Sequence, residues 1–230
     1  MMSNESTRQC VQYVQDHMEY LVWCTANIEV HVTVCEIHEI LNNANYCALP
    51  SRTITTVHNI HRAWQYLIDN IDQPVDWQTL CDYNSLIGQG LESNPGKART
   101  GQVSISGTTY IPPAHTVLDD VFMQFELVRQ ELDPVKATCR LFAVTCRQQW
   151  FDNGNKRTAI MIANHWLIQH GVGVFTLPPE RMGGEFTDWL LDYYETAQLN
   201  SFSRWLQYHA IGDMKYQGLT QAQQDGVDHS

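Results

Sequence analysis

The sequence predicts an all-α fold: a helical bundle interrupted by a single β-hairpin. Apolar residues recur at helical spacing through most of the chain. Capping signals punctuate those runs at Thr33 with Glu36, at Asp76, and at Asp133 before Pro134. Only the segment Val103 to Ile111 alternates like paired strands.

A first helix is expected over about 8–29, with Val11, Val14, Met18, Leu21 and Val22 on its inner face. Thr33 and Glu36 have capping-box spacing and open a second helix, to about Asn42. A third runs from about Thr55 to Asp69 with Ile60, Ala63, Trp64 and Leu67 inward, and Asp76 caps a fourth, to about Ile87. Asn94-Pro95-Gly96-Lys97 reads as a loop, and the hairpin turns at Gly107 and ends at Pro112-Pro113. Helices resume near Val117. Asp133 and an N1 proline start the next, to about Gln148. After a break at Asn153-Gly154-Asn155, another helix reaches Gln169 or His170 and stops at a left-handed Gly171. Two more, near 184–197 and 201–211, complete the bundle. No repeat, low-complexity tract or long linker divides the chain, so one domain is expected.

Composition narrows the function. A net charge of −11 over 230 residues repels nucleic acid and anionic membrane, leaving small molecules or proteins as partners. Seven cysteines form no CxxC pair, and no apolar leader or membrane span is evident, which suits a reducing cytoplasm. His31, Cys35 and His38 have helical spacing that zinc could use. The cap at Thr33 leaves His31 outside the helix, so a core cysteine between surface histidines is expected instead.

The chemistry concentrates in Gln149-Trp150-Phe151-Asp152-Asn153-Gly154-Asn155-Lys156-Arg157-Thr158. A Gly/Asn-rich break leading into a helix aims backbone N–H groups and the positive end of the helix dipole at one point. Lys156 and Arg157 sit in that first turn, where cations are unfavourable unless an anion, such as phosphate, is bound. The residues alone are equally consistent with a plain helix connection carrying two exposed cations.

This segment resembles the Fic/Doc signature, in which His-x-Phe-x-Asp/Glu-Gly-Asn-Gly/Lys-Arg joins two central helices; Phe151, Gly154, Asn155, Lys156 and Arg157 match it. Gly96-Lys97-Ala98-Arg99 and the Val103–Pro113 stretch resemble the family's β-hairpin flap. Thr25-Ala26-Asn27-Ile28-Glu29 resembles the inhibitory-helix motif of one class. The resemblance implies a Fic fold and transfer of AMP from ATP to a protein hydroxyl, with Gly154, Asn155, Lys156 and Arg157 on the nucleotide. It divides the chain into an N-terminal helical segment (1–24), a Fic domain with the inhibitory motif (25–211) and a flexible tail (212–230). Glu29 becomes the inhibitory glutamate, and Val103, Ile105 and Tyr110 the flap residues that receive a target protein by strand addition.

Three positions depart from the pattern. Gln149 replaces the histidine base, and an amide takes no proton near neutral pH. Asn153 replaces the acid that holds Mg²⁺, weakening that site for a hard cation; the adjacent Asp152 is the substitute carboxylate. Ile160 stands where a second arginine would pair with Glu29, leaving Arg157 or Lys156 for that role. The expected protein is a nucleotide-binding relative of adenylyltransferases, weak or inactive. The alternatives are a live AMP or phosphate transferase of altered chemistry, the latter because Lys156 is shared with the Doc branch, or a protein-binding module acting through the flap. No other base is at hand: His165 is eleven residues past Gly154, about 16 Å along a helix axis, and His115 reads as an exposed loop residue.

Overall fold

The computed structural model describes residues 5–212; the polar start and the 213–230 part of the expected tail lie outside the described residues. Eleven helices are described: α1 (Glu5–Asp16), α2 (Met18–Ala26), α3 (Val34–Asn42), α4 (Ser51–Asp69), α5 (Trp77–Gly88), α6 (Leu118–Gln130), α7 (Pro134–Gln148), α8 (Asn155–Gln169), α9 (Pro179–Met182), α10 (Glu185–Thr196) and α11 (Leu199–His209). A two-stranded antiparallel ladder joins β1 (Val174–Phe175) to β2 (Ile211–Gly212), pairing Val174 with Gly212 and Phe175 with Ile211.

Helix α8 lies at the centre, packed on α7 and flanked by α5, and is buried around most of its circumference. Its buried polar side chains are partnered in place, Asn164 with the N–H and carbonyl of Phe175 and His165 with the Tyr83 hydroxyl. The capping signals work as the sequence expects. Thr33 and Glu36 form a reciprocal capping box, Asp76 accepts the Thr79 N–H, and Asp133 accepts those of Val135 and Lys136 ahead of an N1 proline. At the end of α8, Gly171 (φ +65°) donates to the Ile168 carbonyl and Val172 to that of Leu167, the paired bonds of a Schellman stop.

Three expectations need correction. The first long helix breaks at His17, whose imidazole lies 2.9 Å from the Tyr13 carbonyl and competes for the helix's own acceptor. It also stops at Ala26 rather than 29. The segment 103–111 turns at Gly107 (φ +84°) but, among the described residues, forms no ladder, because its polar groups bind a neighbouring helix instead. Finally, Cys35 is exposed rather than in the core; Ile37 and Ile40 supply the buried face of α3. Among the described residues no group of three His, Cys, Asp or Glu side chains could hold a metal ion, and no helix is long and apolar enough to cross a membrane.

His165 is fully buried on α8, remote from chemistry. Its Nδ1 accepts the Tyr83 hydroxyl at 2.8 Å and its Nε2 faces the Ile71 carbonyl at 3.3 Å, so a neutral ring satisfies both partners. Burial pushes its pKa down from 6.5 to about 4. In that window the unfolded chain binds the extra proton, so stability falls as pH drops from 6.5 towards 4. The expected loss is roughly 3 kcal/mol. Urea unfolding at neutral and acid pH checks this: His165→Gln should flatten the dependence, and an unchanged slope would assign it to other groups.

Candidate nucleotide site

The Gln149–Arg157 loop is built by four side chains. Gln149 ends α7 in the left-handed region (φ 49°, ψ 56°), turning the chain sharply. Phe151 is buried and stacks on Trp77 with centroids 5.4 Å apart, pinning the loop to the core. The Asn155 amide accepts the Phe151 N–H (3.0 Å) and donates to the Phe151 carbonyl (2.8 Å) and Gln149 Oε1 (3.0 Å). From α5, Asn84 donates to the Asn153 carbonyl and Thr158 Oγ1 and accepts the Gly96 N–H, tying the loop to the base of the flap.

Gly154 caps α8 at φ +76°, and a Cβ there would lie 3.3 Å from both Asn84 Nδ2 and Ile87 Cγ2. Only glycine enters that conformation without cost, so Gly154→Ala should destabilise the protein by about 1–2 kcal/mol. Denaturant unfolding is the check, and unchanged stability would mean the loop relaxes freely.

The loop borders a cavity of about 260 Å³, lined by Ile28 and Glu29, by Ser104–Ser106 of the flap, and by Gln149 and residues 153–157. A second cavity of about 620 Å³ shares Ile28, Ile105, Ser106 and Lys156 with it and is walled by α10 through Phe186, Leu190, Leu191 and Tyr194. The first chamber is cationic and backed by the N-terminus of α8; the second is mainly apolar.

Arg157 is buried, with its guanidinium 3.5 Å from Glu29. Burial lowers the Arg157 pKa, while Glu29 and Glu92 work against that shift. Lys156, at the junction of the chambers, has no carboxylate partner among the described residues. Glu29 reaches the cleft because α2 stops early. The Asn27 side chain bonds both the N–H and the carbonyl of Val32, and the Trp23 indole bonds that same carbonyl, closing a loop that turns Ile28 and Glu29 inward. Glu29 therefore stands on a turn rather than a helix and meets Arg157; Ile160, at the second-arginine position, is buried in the core.

The Gln149 side chain is held in the loop, its amide donating to the Cys146 carbonyl (2.6 Å) and its oxygen accepting from Asn155. Asn153 turns Nδ2 towards Glu92 (2.9 Å) and Oδ1 towards the Gly154 N–H (2.7 Å). Asp152 is exposed and outside the cavity lining, its charge acting on Arg99. The lone carboxylate in the lining is Glu29, already facing Arg157. This donor set does not fit Mg²⁺, which prefers charged oxygen. Cysteine offers no nucleophile here either, since burial pushes the Cys146 thiol up to about 12.

Of the flap residues, Ile105 lines both chambers. Tyr110 lies under the Arg147 guanidinium, 3.9 Å from its centroid, and Val103 is half-buried outside the lining. The flap tip is held by Glu195, whose carboxylate accepts the Thr108 hydroxyl and the Thr109 N–H, both at 2.6 Å. Its ends are held by the buried Arg99, which donates to the carbonyls of Gln149 (2.7 Å), Pro113 (2.8 Å), Ala114 (3.1 Å) and Gly101. Glu195, Asn84 and the α10 wall carry no sequence signal beyond helical periodicity, because their roles depend on partners far along the chain.

Residues 74–167 match the model of the Fic/DOC family. Solved structures share the fold. A Fic-1 fragment from C. elegans aligns with TM-score 0.72 at 16% identity, covering 91% of this chain and 64% of its own, so this chain spans less than two thirds of that relative. A Fic family protein from Desulfovibrio desulfuricans G20 aligns at 0.65 and 12% identity, covering 90% and 72%. A Fic domain containing signaling protein from Bacteroides thetaiotaomicron VPI-5482 aligns at 0.62 and 13%, covering 90% and 86%. No curated protein matches the sequence. The loop between α7 and α8 falls inside the matched region and the helical frame around it is the one those structures share: residues 74–167 carry the Fic/DOC family match within a Fic fold.

Proposed function

We propose that the cleft binds a nucleoside polyphosphate such as ATP or ADP, with phosphates in the polar chamber and the base in the apolar one. AMP transfer to a target hydroxyl, the activity typical of Fic proteins, is then weak or absent. One observation carries this reading: Lys156 and buried Arg157 converge with the N-terminus of α8 on a cavity that opens into a larger apolar chamber. The Gln149 amide supports the loss of transfer, since it takes no proton and the one carboxylate lining the polar chamber, Glu29, is held by Arg157. Glu29 competes with an anionic ligand for Arg157, an inhibitory role taken on a different arginine from the one the motif implies. A target segment would add along the flap, whose edges carry no ladder bonds. Seven free thiols favour a reducing, cytoplasmic setting.

Calorimetry with ATP and ADP tests the reading. Binding should occur without covalent labelling of either protein or mixture, and Lys156→Ala should weaken it by about tenfold, ~1.4 kcal/mol. Glu29→Gly should tighten it. No binding by the wild-type chain would defeat the proposal, and AMP attached to protein would show that transfer survives.

A further inference from the structure

Helix α6 has an outer face that its own fold leaves uncovered. Val121, Phe125 and Val128 point inward, and Phe125 packs on Trp150, next to Gln149 in the motif loop. Four large apolar side chains point outward: Leu118 (43% exposed), Phe122 (50%), Met123 (52%) and Leu127 (39%). Single exposed hydrophobics are normal on a soluble protein, whereas four on one thirteen-residue helix are not.

Their spacing is ordered. Leu118 and Phe122 are four residues apart, as are Met123 and Leu127, so each pair forms a rail along the helix. At about 100° per residue, Asp119 and Glu126 lie on the arc between the rails and Asp120 beside the second. Glu126 is paired with Arg129 at 2.5 Å, while Asp119 and Asp120 have no basic partner among the described residues. An acidic ridge between apolar rails matches an apolar segment carrying lysine or arginine. It opposes a second copy of this chain, which would bring the same acids and a net charge of −11.

We propose that the outer face of α6 docks a basic amphipathic helix from another protein, its apolar stripe on the two rails and its cations on Asp119 and Asp120. The surface is distinct from the nucleotide cleft and does not depend on how that cleft is read. Its inner-face contact with Trp150 sets the partner against the back of the motif loop.

The test uses the whole protein and a synthetic leucine–lysine helix of about 18 residues, five turns, with a leucine–glutamate version as control. Fluorescence anisotropy should give micromolar binding of the lysine peptide alone, with amide-exchange protection confined to 117–130. The double variants Phe122→Glu/Met123→Glu and Asp119→Lys/Asp120→Lys change exposed side chains only, and each should weaken binding by about tenfold or more. Four outcomes overturn the proposal: no binding, equal affinity in either variant, protection at the cleft instead of α6, or a wild-type dimer that Phe122→Glu dissociates.

Discussion

Changing Gln149→His together with Asn153→Asp should produce a protein that attaches AMP from ATP, to itself or to an added target. The scaffold around position 149 is ready for it. The residue already sits at φ 49°, a conformation histidine tolerates better than most side chains. An imidazole there can keep one nitrogen for a partner the amide now uses, the Asn155 side chain or the Cys146 carbonyl, and present the other to the cleft. General-base catalysis is worth about 10²–10⁴-fold, the gain expected over wild type. The second change is needed because Asn153 brings no charge. An aspartate there faces Glu92, which now accepts from the asparagine amide at 2.9 Å. Arg52 already pairs with Glu92 at 3.0 Å and offsets part of the repulsion between the two carboxylates, so Asn153→Asp alone should lose a little stability in chelator and regain it with Mg²⁺. Intact-mass spectrometry with and without Mg²⁺ reads out both effects. A folded, ATP-binding double variant that never gains AMP would mean the cleft differs from an active one at more than these two positions.

The largest stability loss is expected at Arg99. Its guanidinium, 1% exposed, has no carboxylate partner among the described residues; it serves four backbone carbonyls on the flap ends and on Gln149. Arg99→Met takes the donor from four part-buried carbonyls, three of them on exposed residues that water can reach, so a net loss of roughly 2–4 kcal/mol is expected. Arg99→Lys should restore only part, since an ammonium lacks the planar fork. Hydrogen exchange should show residues 100–116 opening before global unfolding, with ATP affinity falling as Ile105 leaves the cleft. Wild-type stability in Arg99→Met would end the view that this residue holds the flap.

The helices and the motif loop were legible from the sequence where the interactions are local. A cap reaches three residues, a Schellman stop five, and periodicity a few turns; Thr33, Asp133 and Gly171 therefore announce their own structure. The flap misleads for the same reason. Its alternation resembles strand, yet Thr108 and Thr109 bind Glu195, more than eighty residues away, and the ladder forms instead between Val174–Phe175 and Ile211–Gly212. The end of the first helix was equally hidden, set by Asn27 and Trp23 closing on Val32.

The sequence by itself determined the helical frame and the motif loop, since each follows from residue chemistry and short spacing, while the resemblance to the Fic signature marked Gln149 and Asn153 as its departures. Only the tertiary structure decided that Glu29 meets Arg157, that Asn84 ties the motif loop to helix α5, and that the α10 wall adds an apolar chamber to the polar one. Those pairings join residues separated by tens to more than a hundred positions, and packing, not local preference, selects them.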